Sequence, residues 1–142
     1  MAVIVEHRYP DTLHPLHAVV LAGALPLFVG ALLSDIAYAR HYEIQWNNFA
    51  SWLVSGGLVL AAIALVCAVV GVARRGSRTR RRVVYLLVLA AAWIVQFFNA
   101  LMHARDAWAG MPDGLVLSVI GTVLVAIAVA LGFWTPRTGA RP

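Results

Sequence analysis

The sequence has no lysine, a single cysteine and little charge of either sign. Only 12% of its 142 residues are charged, whereas about a quarter of the residues of ordinary soluble domains are. The lone cysteine, Cys67, excludes an internal disulfide and a cysteine-based metal cluster. Apolar side chains, in contrast, make up 62% of the chain. Because a soluble chain this short could not bury so much apolar surface, the composition indicates an integral membrane protein.

Four apolar segments are long enough to cross a bilayer, which requires about 20 residues. They cover residues 16–39, 49–73, 83–104 and 114–134. Backbone groups in lipid must be hydrogen-bonded within the protein, so each span should be a helix. Short connections predict antiparallel neighbours, and the expected fold is an all-α, four-helix up-down-up-down membrane bundle. We expect a single four-span domain over residues 1–142, since no segment resembles a linker between two cores.

Arginine is distributed unevenly between the two sides of the expected bundle. Arg8, Arg137 and Arg141 lie on one side, whereas Arg40 and Arg105 lie on the other. The first side also carries the loop between the second and third spans, which contains Arg74, Arg75, Arg78, Arg80, Arg81 and Arg82. Such a loop is typical of the cytoplasmic side, so we expect a multi-pass protein of the bacterial inner membrane with both termini in the cytoplasm. The same position favours contact with the lipid bilayer over nucleic-acid binding.

A signal-peptidase-like pattern, Ala37-Tyr38-Ala39, ends the first span and offers an alternative. Cleavage after this pattern would leave three spans. The region before the first span is long and mixed in charge, with Glu6 close to Arg8. These features favour a first span that is retained.

Polar side chains concentrate in the halves of the spans that are expected to face the periplasm. The candidate polar site comprises Asp35, Ser51, Ser55, Gln96, Asn99, His103, Ser118 and Thr122. Because unpaired polar groups facing lipid are costly, these side chains should point inward and bond to one another. In particular, we expect Asp35 to meet Asn99 and His103. The layer would be an interhelical clamp or a site for a small ligand, a proton or a metal; alternatively, Asp35 reaches the headgroups.

The stretch LHPLH contains two candidate metal ligands, His14 and His17. They are one helical turn apart and could face the same side. Pro15 suits the first turn of a helix, where its missing N–H costs nothing. A metal site would need further ligands, for which His7 and Asp11 are close in sequence. Interfacial histidines that bond to backbone or headgroups are the simpler interpretation.

Haem binding needs separate consideration, because haem can be held between histidines of a helix bundle. His14 and His17 are expected at one membrane face and His103 at the other, about 30 Å away. They therefore cannot share an iron, and His103 could pair only with His41. We expect no cofactor, with a redox, metal or haem protein that uses these histidines as the alternative.

No catalytic triad, phosphate loop or pair of carboxylates stands out in the sequence. A non-catalytic membrane protein is therefore the favoured function class, with a polar interhelical site that is structural or binds a small ligand. A homodimer or another membrane protein remains open as a partner. Transport would require at least a dimer, since the expected cytoplasmic halves of the spans offer no polar route.

His14, Pro15, His17 and Asp35 follow a pattern of H-P-x-H, then a proline-bearing apolar helix, then an aspartate near its end. In this pattern the chain resembles a bacterial family of predicted membrane proteins, the domain of unknown function DUF2231. The segments FFNALMHARDAW and GFWTPRTGARP are similar to later parts of that family. Ala18 departs from it, because a second proline is usual there. The resemblance implies a four-helix membrane protein without established activity, and the family's loose likeness to two-haem cytochromes b supports the redox alternative.

Overall fold

Four long helices and one short helical segment make up most of the computed structural model, which describes residues 13–74, 80–105 and 107–133. In chain order the helices are α1 (Pro15–His41), α2 (Ile44–Arg74), α3 (Arg80–His103), α4 (Ala107–Gly110) and α5 (Asp113–Phe133). The described ranges contain no strand. The four long helices pack against one another, which confirms the predicted all-α four-helix bundle.

All four long helices are long and apolar enough to cross a membrane. The largest difference from the predicted spans is at α2, which begins at Ile44 rather than at residue 49. A hydropathy pattern detects only the apolar part of a helix, whereas the helix itself continues through the polar residues at the membrane boundary. The first turn of α2 therefore includes Gln45 and Asn47, which a hydropathy pattern assigns to the loop.

The two ends of α1 have recognisable caps. Pro15 occupies the first turn, and the side chain of His14 accepts a hydrogen bond from the backbone N–H of Leu16 at 3.3 Å. At the other end Tyr42 adopts a left-handed conformation with φ of 56°, and its N–H donates to the carbonyl of Tyr38. A residue in this left-handed conformation terminates an α-helix. Because only two residues separate α1 from α2, the two helices must run antiparallel.

The main helix contacts form a closed ring in which α1 packs against α2, α2 against α3, α3 against α5, and α5 against α1. The parallel helices α1 and α3 therefore face each other across one diagonal of the bundle. We call the end that contains the starts of α1 and α3 the arginine end, and the end that contains their last turns the Asp35 end.

Small residues allow close approach between α1 and α2. A Cβ atom at Gly57 would lie 2.7 Å from the ring of the fully buried Phe28. The apolar core continues toward the arginine end through Leu21 and Leu89. The outer surface carries exposed apolar side chains such as Val19 and Trp52, as expected for helices in contact with lipid.

The arginine cluster is described only in part. Arg75 and Arg78 lie outside the described residues, and of Arg74 only the backbone is described. Arg80 is exposed, whereas the partly buried Arg81 donates from Nη2 to the carbonyl of Leu131 at 2.9 Å. This bond satisfies a carbonyl in the last turn of α5, where a cation is favoured by the helix dipole.

Candidate functional site

The most polar feature of the interior is Asp35, which lies six residues before the end of α1 and is fully buried. Its Oδ1 atom lies 2.7 Å from Nε2 of His103 on α3. Its Oδ2 atom accepts a hydrogen bond from the hydroxyl of Ser118 on α5. A buried carboxylate is tolerated only when its oxygens are paired. The carboxylate of Asp35 meets that condition and connects three helices.

Hydrogen bonds continue from Ser118 into α3. The Nδ2 atom of Asn99 donates to Ser118 Oγ at 2.8 Å and to Gln96 Oε1 at 2.9 Å. Gln96, Asn99 and His103 are spaced three and then four residues apart, which places them on one helix face. We call the connected residues Asp35, Gln96, Asn99, His103 and Ser118 the Asp35 network. Each is at most 7% exposed.

The ring of His103 is held on both sides. Its Nδ1 atom lies 2.9 Å from the backbone carbonyl oxygen of Asn99, one turn earlier in α3. The backbone of α5 approaches the ring closely, since a Cβ at Gly114 would lie 3.4 Å from its Cε1 atom. From α2, Ser51 makes a long contact of 3.5 Å with the carbonyl of His103. The orientation of the imidazole is therefore determined by contacts with α1, α3 and α5, whereas α2 reaches only the backbone of His103.

Gly121 makes room for the network on α5. A Cβ atom at this position would lie 2.6 Å from both Cδ and Nε2 of Gln96. A glycine in a membrane span commonly serves only the close approach of two helices. The structure shows a more specific role, because a side chain at residue 121 would displace the amide that accepts from Asn99.

One atom of the network has no partner. Among the described residues, the Oδ1 atom of Asn99 is the buried side-chain oxygen or nitrogen for which no hydrogen bond is formed. Leaving such an acceptor unpaired costs about 1–3 kcal/mol. The other polar atom of the same amide, Nδ2, has two partners. The unpaired oxygen is thus an open position in an otherwise connected network.

Three of the polar residues that the sequence grouped with Asp35 bond to backbone carbonyls rather than to side chains of the network. Ser55 is exposed and donates to the carbonyl of Ser51 at 2.8 Å, which lies in its own helix. Ser51 donates to the carbonyl of Asn47 at 2.9 Å. Thr122 is buried and donates to the carbonyl of Phe28 at 3.3 Å. A hydroxyl can always turn to a backbone carbonyl one helical turn away, so a serine in a span need not face a polar neighbour.

Serine, aspartate and histidine also form catalytic triads, but the connectivity here is different. In a triad the histidine lies between the serine and the aspartate, so that it can take the proton of the serine hydroxyl. In this chain Asp35 lies between Ser118 and His103. Ser118 therefore has a carboxylate as its hydrogen-bond acceptor, and the arrangement lacks the serine–histidine contact of a hydrolase.

A second buried polar contact lies at the arginine end. The Nε2 atom of His17 is 2.7 Å from the hydroxyl of Tyr85, and both side chains are buried. The sequence analysis did not single out Tyr85, although it is a polar side chain in an otherwise apolar half of its span. This pair joins α1 to α3 across the same diagonal as Asp35 and His103.

His14 and His17 do not face the same side, contrary to what their spacing allowed. His17 points into the bundle, whereas His14 is exposed and folds back onto the first turn of α1 as its cap. The suggested additional ligands, His7 and Asp11, lie outside the described residues. Within the described part of the chain no group of three or more histidine, cysteine, aspartate or glutamate side chains is close enough to hold a metal ion.

The histidines that were considered as a haem pair also lie in different surroundings. His41 is exposed in the last turn of α1. His103 is buried, and each of its ring nitrogens already lies within hydrogen-bonding distance of an oxygen. An iron ligand at His103 would therefore have to replace its contact with Asp35 or with Asn99.

Four apolar, membrane-length helices around a buried polar network define the class of this molecule, an integral membrane protein with a helix-bundle fold. Residues 13–136 match the family model of a predicted membrane protein, DUF2231, and the chain belongs to that family. The matched range includes all four long helices and every member of the Asp35 network. Comparisons with curated proteins and with solved structures gave no match.

Proposed function

We propose that the protein is a non-catalytic integral protein of the bacterial inner membrane, whose Asp35 network fastens three helices and presents one hydrogen-bond acceptor to a small ligand. The observation that carries this proposal is the unpartnered Oδ1 atom of the fully buried Asn99. It belongs to a set of side chains that otherwise satisfy one another. The network is therefore both a connection between helices and an incomplete site.

The role of the network in holding helices together follows from the number of helices that Asp35 connects. Its two oxygens bond to His103 of α3 and Ser118 of α5, while the residue itself belongs to α1. Interhelical hydrogen bonds in membranes contribute about 0.6 kcal/mol each on average. The energy of one bond is small, but a carboxylate that loses its partners in an apolar interior is costly. The network therefore favours the arrangement in which all three helices are in register.

The chemical class of the ligand follows from the atom that is free. Asn99 Oδ1 is an amide carbonyl oxygen, which can only accept a hydrogen bond. The ligand must therefore offer an N–H or O–H group, and a water molecule is the smallest species that does so. No described protein group donates to this oxygen, so a donor from outside the chain would complete its hydrogen bonding. A small, neutral hydrogen-bond donor is thus the class of ligand that fits this position.

The non-catalytic part of the proposal is supported by the order of contacts in the network. Ser118 bonds to Asp35 rather than to His103, so the network lacks the serine–histidine pair of a hydrolase. The proposal includes no haem and no metal, because His17 and His103 already have polar partners and lie at opposite ends of the bundle. The asymmetry of arginine supports a cytoplasmic arginine end and a periplasmic Asp35 end.

A structure of the full chain, purified from its own membranes and determined at a resolution that shows ordered waters, tests the ligand site. We expect density about 2.9 Å from Asn99 Oδ1, the usual distance of a hydrogen bond. The matched variant is Asn99→Leu, which keeps a similar volume without an acceptor and should lack this density. A native structure in which a protein donor occupies Asn99 Oδ1 and no further density is present would contradict the proposal.

Orientation is tested separately by labelling single cysteines in intact cells, after Cys67→Ala removes the native thiol. A cysteine at Ser77, within the arginine-rich segment, should react with an impermeant maleimide only after the cells are opened. A cysteine at the exposed Gln45, at the Asp35 end, should react in intact cells. The reverse result would place the Asp35 network on the cytoplasmic side.

A further inference from the structure

We infer that Asp35 and His103 together bind one proton, and that this proton joins α1 to α3 at the Asp35 end of the bundle. The inference deepens the proposed function of the same network. It rests on the Asp35–His103 contact and is independent of whether a ligand occupies Asn99 Oδ1. The ligand of this site is thus the simplest cation, held between a carboxylate and an imidazole.

The Nδ1 atom of His103 faces the backbone of its own helix. It lies 2.9 Å from the backbone carbonyl oxygen of Asn99. A carbonyl oxygen has no hydrogen and can only accept, so the hydrogen of this bond must be on Nδ1. A neutral imidazole carries a single ring hydrogen. In a neutral His103 that hydrogen is therefore already committed to the carbonyl.

The Nε2 atom of the same ring lies 2.7 Å from Oδ1 of Asp35. This bond needs a hydrogen of its own. The hydrogen is either on Nε2, which makes an imidazolium beside a carboxylate, or on Oδ1, which makes an imidazole beside a carboxylic acid. Ser118 supplies the hydrogen for Oδ2 and does not change this count. In both cases the pair holds one proton more than an ionised Asp35 and a neutral His103.

The proton also makes the pair electrically neutral as a whole. An isolated charge in an apolar interior is far more costly than a neutral or paired group. From the other helices the pair is contacted by Ser118 and Gly114 of α5, and His103 is contacted by Ser51 of α2. None of these groups is charged. The described charged residues near this end, Arg40, Glu43, Arg105 and Asp113, are all exposed.

Removing the proton has a structural consequence. A single ring hydrogen cannot serve both contacts, so a nitrogen lone pair would face either the carboxylate of Asp35 or the carbonyl of Asn99. One of the two contacts must then open. The contact between His17 and Tyr85 at the other end is unaffected, since the tyrosine hydroxyl can donate to a neutral histidine. Loss of the proton therefore loosens the α1–α3 connection at the Asp35 end alone.

Spectroscopy on the full chain in lipid nanodiscs tests the proton count directly. Nitrogen-15 NMR of labelled histidine reports which ring nitrogens of His103 carry hydrogen, and the loss of the signal in His103→Gln assigns it. Infrared spectra report whether Asp35 is a carboxylic acid, through a band that Asp35→Asn removes. We expect a doubly protonated ring, or a protonated carboxyl beside a ring with hydrogen on Nδ1. A singly protonated ring beside an ionised Asp35 would overturn the inference.

The variant Asp35→Asn provides a matched test of the consequence. An asparagine amide can donate to an unprotonated Nε2 of His103 and accept from Ser118, so it keeps every hydrogen bond without the shared proton. Between about pH 6 and about pH 8 the melting temperature of the native protein should fall as the pH rises, whereas that of Asp35→Asn should not fall, because its His103 is already neutral in the folded state. The same pH dependence in both proteins would contradict the proposal, whatever density is found at Asn99.

Discussion

Asp35 and His103 are 68 residues apart in the sequence and meet across the diagonal of the bundle, with 2.7 Å between Oδ1 and Nε2. His17 and Tyr85 are separated by the same 68 residues and meet across the same diagonal. Within each helix the two members are 18 residues apart, which at 3.6 residues per turn is five complete turns. The parallel helices α1 and α3 therefore keep one register along their length and present one face to each other.

The two contacts connect the same pair of helices at points about 27 Å apart along the axis, at 1.5 Å per residue. Their chemistry differs. At the arginine end a neutral hydroxyl meets an imidazole, whereas at the Asp35 end a carboxyl group meets one. The first contact needs no extra proton and the second does. The bundle thus has one permanent and one proton-dependent connection between α1 and α3.

Ser118 and Ser55 offer a matched comparison of an interhelical and an intrahelical hydroxyl. Ser118→Ala should reduce the free energy of unfolding by about 1–2 kcal/mol, because Asp35 Oδ2 and one hydrogen of Asn99 Nδ2 lose their partner. Ser55→Ala should change it by much less, since Ser55 is exposed and bonds only within α2. Reversible unfolding in mixed micelles measures both. Equal losses would show that Ser118 has no special place in the bundle.

Gly121 and Gly71 form a second matched pair. Gly121→Ala should destabilise the protein by about 1–3 kcal/mol, because the new methyl group would displace the Gln96 side chain. Nothing lies within 4 Å of a Cβ at Gly71. The same substitution at Gly71 should be neutral or stabilise α2 by up to about 1 kcal/mol. Thermal unfolding in nanodiscs compares the two, and a stable Gly121→Ala protein would mean that Gln96 moves without loss.

The contact at the arginine end can be measured by a double-mutant cycle of Tyr85→Phe and His17→Ala. We expect a coupling free energy of about 0.6–1.7 kcal/mol, which lies between the average and the maximum found for interhelical hydrogen bonds in membranes. The effect of Tyr85→Phe should add to that of Asp35→Asn, because sites more than about 10 Å apart are usually independent. A strong non-additive term between Tyr85 and Asp35 would instead indicate that the two ends of the bundle are coupled.

An absorption spectrum of the protein purified from its own membranes tests whether the protein binds haem. We expect no Soret band, since a haem iron at His103 would have to displace Asp35 or the carbonyl of Asn99 from the ring. His103→Gln is the control for any absorption that does appear. A Soret band that disappears in this variant would establish the redox alternative.

The number, type and approximate position of the helices could be predicted because a bilayer imposes a minimum length of apolar sequence. It could also be predicted from their spacing that Gln96, Asn99 and His103 share one helix face, since the period of the helix is known. Which of the polar side chains hydrogen-bond directly to one another could not be predicted. Ser118 mediates between Asp35 and Asn99, and this depends on the distance between α5 and α3 rather than on any local pattern.

The composition and hydropathy of the chain by themselves determined that it is a four-helix membrane protein, because lipid leaves an apolar segment little choice but to form a helix. Only the tertiary structure decided which polar side chains face one another. Ser55 and Ser118 are the same residue type and both lie within apolar helices, yet the exposed Ser55 turns to its own backbone and the buried Ser118 to Asp35. The physical reason is that a hydroxyl always has a carbonyl of its own helix within reach, and only the packing of neighbouring helices offers it a better partner.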